Sequence, residues 1–594
     1  MLQHPYEGLV HDSVLYGFSA LAHLHPQSLG NDLFLRFGSQ DRFTVFSPIA
    51  AAVIQVLGLE NAAALITAVA QLAFLISAWF LARRLMPSAL ALLGVGLLIA
   101  LPATYGAGHL FSYEEGFMTP RVPAEALVLA GLAALLASRY AVSGLFGLAA
   151  LLVHPLMAAA GLVLALILHV GMPRPRLAIA VAAGSFLVLV AIAYLAPIGP
   201  FARFDSTWYE MLHTRLPYLY PSNWIAQDWG HTCVPLTVLA VGALTLRAGL
   251  VRSLCLAALL TGLAGLILAL IGSDLLRIEI VTQVQPWRWT WLANALAVLL
   301  SPAIVINCWN EGAASRAAVI LLVAAWVCAD ERFAPLVAIL AIAVACARGR
   351  SLATERGKLL LLAAWLVLAI GMLLFVATVL GVLRNLARIE PDHVLYSSPY
   401  LLLLRQLRPW ASGGVLPTGL LVLMWAAAVT ASAGSRSFVR GGSVLLVGLV
   451  LCTAVAPLAV SAWTVTALPQ SLQDRFAAWR AAIAPNTEVL WVQTPLGPWY
   501  LLGRPSYWTL EQMAGLAFSR ATAMELTRRE SILTHQPRTG DPVEELTNAC
   551  RTMPEVGFIV TPRYLGPTPF DPIAPTGEHS NRDLRMYPCT GHRG

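Results

Sequence analysis

From residue 62 to residue 463 the sequence alternates apolar runs, almost free of charged side chains, with short breaks that carry arginine. A run of roughly 20 apolar residues can cross a bilayer only as a helix, because lipid offers no partner to unpaired backbone N–H and C=O groups. The runs at 62–81, 88–101, 122–138, 144–153 with 155–170, 177–196, 234–246 and 253–271 fit such spans. So do those at 291–306, 317–327, 333–345, 359–382, 415–430 and 443–463. They predict a mainly α polytopic bundle of about 13–14 spans. Composition agrees: 58% of the residues are hydrophobic and 12% charged, where a soluble domain carries about a quarter charged. A water-soluble enzyme, a disordered chain and a secreted disulfide scaffold are excluded.

The net charge of +7 does not point to nucleic acid, because the 38 Lys and Arg are scattered singly or in pairs. Lys358 is the only lysine, an arginine-rich usage associated with high-GC bacterial genomes. Short cytoplasmic loops retain Lys and Arg, and arginines collect at every second loop: 83/84, 139, 174/176, 247/252, 316, 348–358 and 436/440. These loops are expected inside. The intervening loops at 105–121, 197–233, 272–289, 329–332 and 384–414 are expected outside, with most of the acids and aromatics. The chain thus reads as a multi-pass protein of a bacterial inner membrane, in contact with membrane lipids.

Two consequences follow from this parity. Arg139 and Arg174 share a side, so the run between them is a hairpin with its tip at His154-Pro155, since proline disfavours helix at the residue before it. Residues 1–60 fall outside with no signal peptide to carry them, which predicts a further helix ahead of Met1. The chain divides into a membrane domain, 1–466, and a small α/β domain, 467–594, expected to be extracytoplasmic. In the latter, 487–493 and 556–561 read as strands and 510–529 as a helix, with Arg528-Arg529-Glu530 on a solvated face. An oxidising compartment would permit Cys550 and Cys589 to pair, two free thiols being the alternative. None of the eight cysteines forms a CxxC or a zinc-type Cys/His cluster, so no metal ligand is singled out.

Ionisable groups within a bilayer are costly, and here the acids gather in the outer loops. In the first of these, Leu9, Leu15, Phe18 and Leu21 recur at helical spacing, predicting an amphipathic helix along the membrane face with Asp12 near its start. A carboxylate there can serve as general base or simply cap the helix. Arg121 lies close after Glu114 and Glu115, which makes an ordinary ion pair the alternative to ligand binding. Arg288 stands between Trp287 and Trp289, where interfacial anchoring is the alternative. Asn31-Asp32 also fits a turn, His154 a packing role, and the loop from Phe204 through Asp205 to His231, whose aromatics and acids suit sugar binding, equally a plain interfacial segment.

The segments His11-Asp12-Ser13-Val14-Leu15-Tyr16, Thr119-Pro120-Arg121-Val122-Pro123-Ala124-Glu125-Ala126-Leu127 and Leu152-Val153-His154-Pro155, set in this architecture, resemble the GT-C superfamily of membrane glycosyltransferases. The resemblance covers roughly residues 1–465, and Asp12 is followed by Ser13 where many members carry a second acid. It implies inverting transfer of a sugar from a polyprenyl-phosphate donor to an acceptor it does not identify. Asp12 would be the base, and Arg121 and Arg288 or a divalent metal would steady the departing phosphate. Accessory roles would fall to His11, Asp32, Glu114, Glu115, His154 and Asp205. The rival readings are a transporter or lipid flippase, with polar groups threading the bundle, and a non-catalytic membrane scaffold.

Overall fold

A computed structural model describes residues 6–101, 103–195, 197, 199–347, 354–386, 470–491, 497–536, 539–574 and 583–589. The expected spans at 415–430 and 443–463, nearly all of the loop 384–414, and Arg436 and Arg440 lie outside the described residues.

Helices dominate. Among the described residues, five are long and apolar enough to cross a membrane: Leu59–Leu85, Pro175–Leu195, Leu250–Leu275, Glu279–Glu311 and Arg356–Phe375. Shorter apolar helices at Phe46–Leu57, Ser88–Ile99, Tyr140–Val153, Pro155–Val170, Ala313–Val327 and Ala334–Cys346 pack among them. A helix that is apolar all round belongs in a core or in lipid, and both cases occur. The most apolar stretch of Glu279–Glu311 is 83% buried, at the centre of the bundle, whereas that of Pro175–Leu195 is only 6% buried. Small residues permit the close central packing: a Cβ on Gly94 would lie 2.3 Å from the carbonyl oxygen of Leu299.

The hairpin forms where proline predicts it. Helix Tyr140–Val153 ends at His154, and Pro155, lacking an N–H to leave unpaired, opens helix Pro155–Leu166. His154 caps the second arm, its Nδ1 accepting from the Met157 N–H at 3.3 Å.

The first helix, Asp12–Leu24, corrects the expectation of an amphipathic surface helix. Leu9, Leu15 and Phe18 are buried, but so are Ser13, Tyr16, Gly17 and Ser19 on its other faces. Residues near the far end of the chain cover those faces: the Trp499 ring stacks on Phe18 at 4.2 Å, and the Tyr500 hydroxyl donates to the Val14 carbonyl. First segment and tail share one apolar cluster, which includes Phe34, Phe46, Trp479 and Phe558.

The tail is a small α/β unit. Counting two short strands of the membrane region, β1 (Thr104–Tyr105) and β2 (Phe111–Ser112), its strands are β3 (Glu488–Leu490), β4 (Val556–Thr561) and β5 (Arg585–Pro588). The order is β3-β4-β5, with β3 parallel to β4 and β5 antiparallel to it. Cys550 and Cys589 form a disulfide, their Cα atoms 5.3 Å apart. The expected helix over 510–529 is instead two elements. A 3₁₀ turn, Leu510–Gly515, ends before Ser519, whose hydroxyl caps a new helix, Arg520–Thr534. Arg529, expected on a solvated face, is fully buried against Glu488, while Arg528 beside it is exposed.

Candidate functional site

The loop between helices Ser88–Ala100 and Arg121–Leu136 folds back as the β1–β2 pair, register Tyr105 against Phe111. Its turn passes through Gly106, whose φ of +73° is open to glycine and whose missing side chain leaves room for Trp287: a Cβ would sit 2.3 Å from that ring. Asp228 pins the turn, one carboxylate oxygen accepting from the Gly108 N–H at 2.7 Å. This close docking brings Phe111 against the Pro286–Trp289 turn. The Arg288 guanidinium lies over the Phe111 ring at 3.9 Å and that of Arg121 at 5.2 Å.

The two arginines differ in their partners. Arg121, 1% exposed, donates from Nη1 to Asp12 Oδ2 at 2.6 Å and from Nε to Glu115 Oε2 at 2.7 Å. Asp12 does not cap its helix; it spends one oxygen on Arg121 and the other on His11 Nδ1 at 3.3 Å. Burial alone would raise the Asp12 carboxyl, but Arg121 and His11 outweigh it and hold it far below the usual carboxylate range. Arg288 is 6% exposed, yet among the described residues no carboxylate pairs with it. Its Nε donates to Gln285 Oε1 at 2.6 Å, and its Nη1 is buried without a hydrogen-bond partner. A buried guanidinium with no carboxylate beside it lacks the counter-charge that ordinarily offsets the cost of its burial. The interfacial-anchor reading of Arg288 therefore does not hold, because the side chain is enclosed beneath Phe111.

Both arginines open onto a cavity of about 930 Å³, which His11, Asp12 and His154 also line. Much of the remaining wall is apolar, including Leu15, Leu156, Val284 and Phe518. Residues of the 510–518 stretch close one side, with Glu511 the acid they present.

The structure thus gathers His11, Asp12, Arg121, His154 and Arg288 on one cavity, with Glu115 behind Arg121. Three of the accessory candidates stand elsewhere. Glu114 is buried behind the loop, its backbone N–H bonded to Glu125 Oε2 at 3.0 Å and its own carboxyl pushed up to about 8 by burial. Asp205 caps helix Ser206–Arg215, accepting from the Trp208 N–H, and pairs with Arg520 of the tail at 2.7 Å. Asp32 caps helix Leu33–Arg36 and is fully buried at the joint between first segment and tail. Its carboxylate accepts from the Phe34 N–H (2.9 Å), Trp499 Nε1 (2.8 Å), the Ser506 N–H (2.9 Å) and Gln512 Nε2 (3.0 Å).

Asp32→Asn turns an amide donor toward groups that are themselves donors. It is expected to cost about 1–3 kcal/mol and to expose the Trp499–Gln512 stretch to protease in detergent. Unaltered proteolysis and thermal midpoint would discount the joint. Residue types along the chain give no hint of Glu511 or Gln285 as cavity residues; only the folded return of distant segments brings them there.

The resemblance also implied a divalent metal as an option. Among the described residues no three His, Cys, Asp or Glu side chains converge as such an ion requires, and Asp12 and Glu115 are committed to Arg121. No protein family, curated protein or solved structure matches this chain.

Proposed function

We propose that this chain is a membrane glycosyltransferase of GT-C type, moving a sugar from a polyprenyl-phosphate donor to an acceptor at the outer face of a bacterial inner membrane. One observation carries the reading. The unpaired, buried Arg288 opens onto the same cavity as the Asp12–Arg121 pair, and that cavity has the apolar walls a prenyl chain needs. Arg288 receives the donor phosphate, which supplies the missing anion, and its planar guanidinium suits paired phosphate oxygens. As the bond from sugar to phosphate breaks, negative charge grows on the leaving oxygen, and a fixed cation there lowers the barrier. The Asp12–His11 corner receives the acceptor. In this reading the tail is extracytoplasmic, and the bundle has the 13–14 spans that the arginine pattern implies.

Arg288→Gln tests it. The amide retains bulk and a donor but loses the charge, and charged hydrogen bonds are worth about 1.5–3 kcal/mol. Apparent affinity for polyprenyl phosphate, measured on purified protein in nanodiscs, is expected to drop roughly 10- to 100-fold. Equal binding by the variant would remove Arg288 from the site. A wild type that binds polyprenyl phosphate no better than the unphosphorylated alcohol would remove the donor class.

A further inference from the structure

Asp12 has the position of a base but not the freedom of one. Its Oδ2 is 2.6 Å from Arg121 Nη1 and its Oδ1 3.3 Å from His11 Nδ1. Arg121 is itself immobilised by Glu115 at 2.7 Å and by enclosure under Phe111 and Phe117. A carboxylate held this way gains little by taking a proton.

The ring beside it is placed differently. His11 lines the cavity with its side chain 39% exposed, and among the described residues its Nε2 has no partner. Its backbone is strained, at φ +51° and ψ −136°, a region costly for a residue with a β-carbon. The surrounding turn holds it there: the Val10 N–H donates to Ser13 Oγ at 2.7 Å, and the Val14 N–H donates to the His11 carbonyl at 3.1 Å. This strained conformation sets Nδ1 against the Asp12 carboxylate, with the ring 5.6 Å from that of Phe117.

We propose that His11, oriented by Asp12, takes the proton of the incoming acceptor at this site, a role that rests on the glycosyl-transfer reading above. Neutral His11 carries its hydrogen on Nδ1, donated to Asp12, and offers the Nε2 lone pair to the cavity. The acceptor X–H attacks the anomeric carbon as the bond from that carbon to the phosphate oxygen breaks. The electron pair leaves with the polyprenyl phosphate at Arg288, the acceptor atom becomes bonded to the sugar, and its proton goes to Nε2. Asp12 steadies the imidazolium, which then releases the proton to water in the cavity. Asp12 is thus a positioning residue.

Three charged groups face His11: Asp12 from its own helix, Glu115 from the loop and Arg121 from helix Arg121–Leu136. Burial works to lower the imidazole, but Asp12 and Glu115 outweigh both burial and Arg121, and the balance is raised above the ordinary histidine value. Farther round the cavity stand His154, Arg215, Asp228, Arg288 and Glu511.

The test follows release of polyprenyl phosphate, in nanodiscs holding the full chain, from donors carrying mannose, glucose, galactose or arabinose, with membrane extract as acceptor. Wild-type rate is expected to fall about tenfold per pH unit on an acid limb whose midpoint lies above roughly 6.5. His11→Ala is expected to lower kcat about 10²- to 10⁴-fold with donor KM unchanged, to lose the limb, and to regain rate when imidazole is added. Asp12→Asn is expected to move the limb down toward the free imidazole value. A rate flat from about pH 5 to about pH 8, with His11→Ala within threefold of wild type, would overturn the assignment while leaving glycosyl transfer standing. Wild type that releases polyprenyl phosphate from none of the donors would overturn the transfer reading itself, and this role with it.

Discussion

Arg121→Met is expected to remove about 3–5 kcal/mol of folding free energy, the cost of stranding buried charges by deleting their counter-ion. Two carboxylates lose their guanidinium at once, Asp12 at 2.6 Å and Glu115 at 2.7 Å, and Glu115 is buried. The pH dependence distinguishes this cause from lost packing. In the variant the buried Glu115 carboxyl has a folded pKa well above its unfolded one. Its folded state is therefore favoured below the ordinary carboxylate range and loses that advantage as pH rises through the raised value. Asp12 acts in the opposite sense in the wild type. Its depressed folded value contributes stability above the ordinary range, which is lost as pH falls through that value. The gap between wild-type and variant unfolding midpoints in detergent is thus expected to be wide near pH 7 and narrow near pH 5. A gap that does not change with pH would mean the arginine matters only as volume.

Arg529→Met should be comparably severe in the tail. Arg529 is fully buried and forks onto Glu488, from Nη1 at 2.8 Å and Nη2 at 3.2 Å, while its Nε donates to Glu525 at 2.7 Å and its guanidinium lies 4.6 Å from the Tyr507 ring centre. Glu488 sits on β3 and is itself buried, so the substitution leaves it only the longer, part-exposed contact with Arg36 at 3.7 Å, at a cost of up to about 3–5 kcal/mol. Replacing both partners by apolar residues, Arg529→Met with Glu488→Leu, is expected to recover most of that loss, because the buried carboxylate goes with its partner, Glu525 keeps Arg528 at 2.7 Å, and Arg36 is part-exposed. Helix Arg520–Thr534 follows directly on the 510–518 wall of the cavity, so the single variant should also weaken polyprenyl-phosphate binding. Proteolysis of the tail checks the first effect. A double variant no more resistant than the single one would refute the pairing as the cause.

What could be read from the sequence was local in origin. Pro155 marks its own helix start, and the apolar runs announce helices because each must satisfy its backbone alone. The hydrophobic run Val556–Thr561 is a strand within the limits that its composition suggested. Sequence and structure part where a distant segment supplies the environment. The Asp12–Leu24 helix looks amphipathic until Trp499 and Tyr500 cover its second face. Arg529 looks solvated until Glu488 of β3 arrives beside it. Asp32 looks like a turn residue or a spare acid until Trp499, Ser506 and Gln512 converge on it. In the site, residue type singled out Asp12, Arg121 and Arg288. That the first two are paired and the third is not depends on how the loop between 101 and 120 folds around Gly106, which no short motif encodes.

The joining of the first helix to residues 497–518 has a consequence for biosynthesis. A nascent chain still lacking that stretch has the helices up to Thr354–Leu386 available to it, yet neither the cover over Phe18 nor the 510–518 wall of the cavity. Closure of the cavity therefore waits on synthesis of residues 497–518, and a nascent chain without them presents the apolar face of the first helix uncovered.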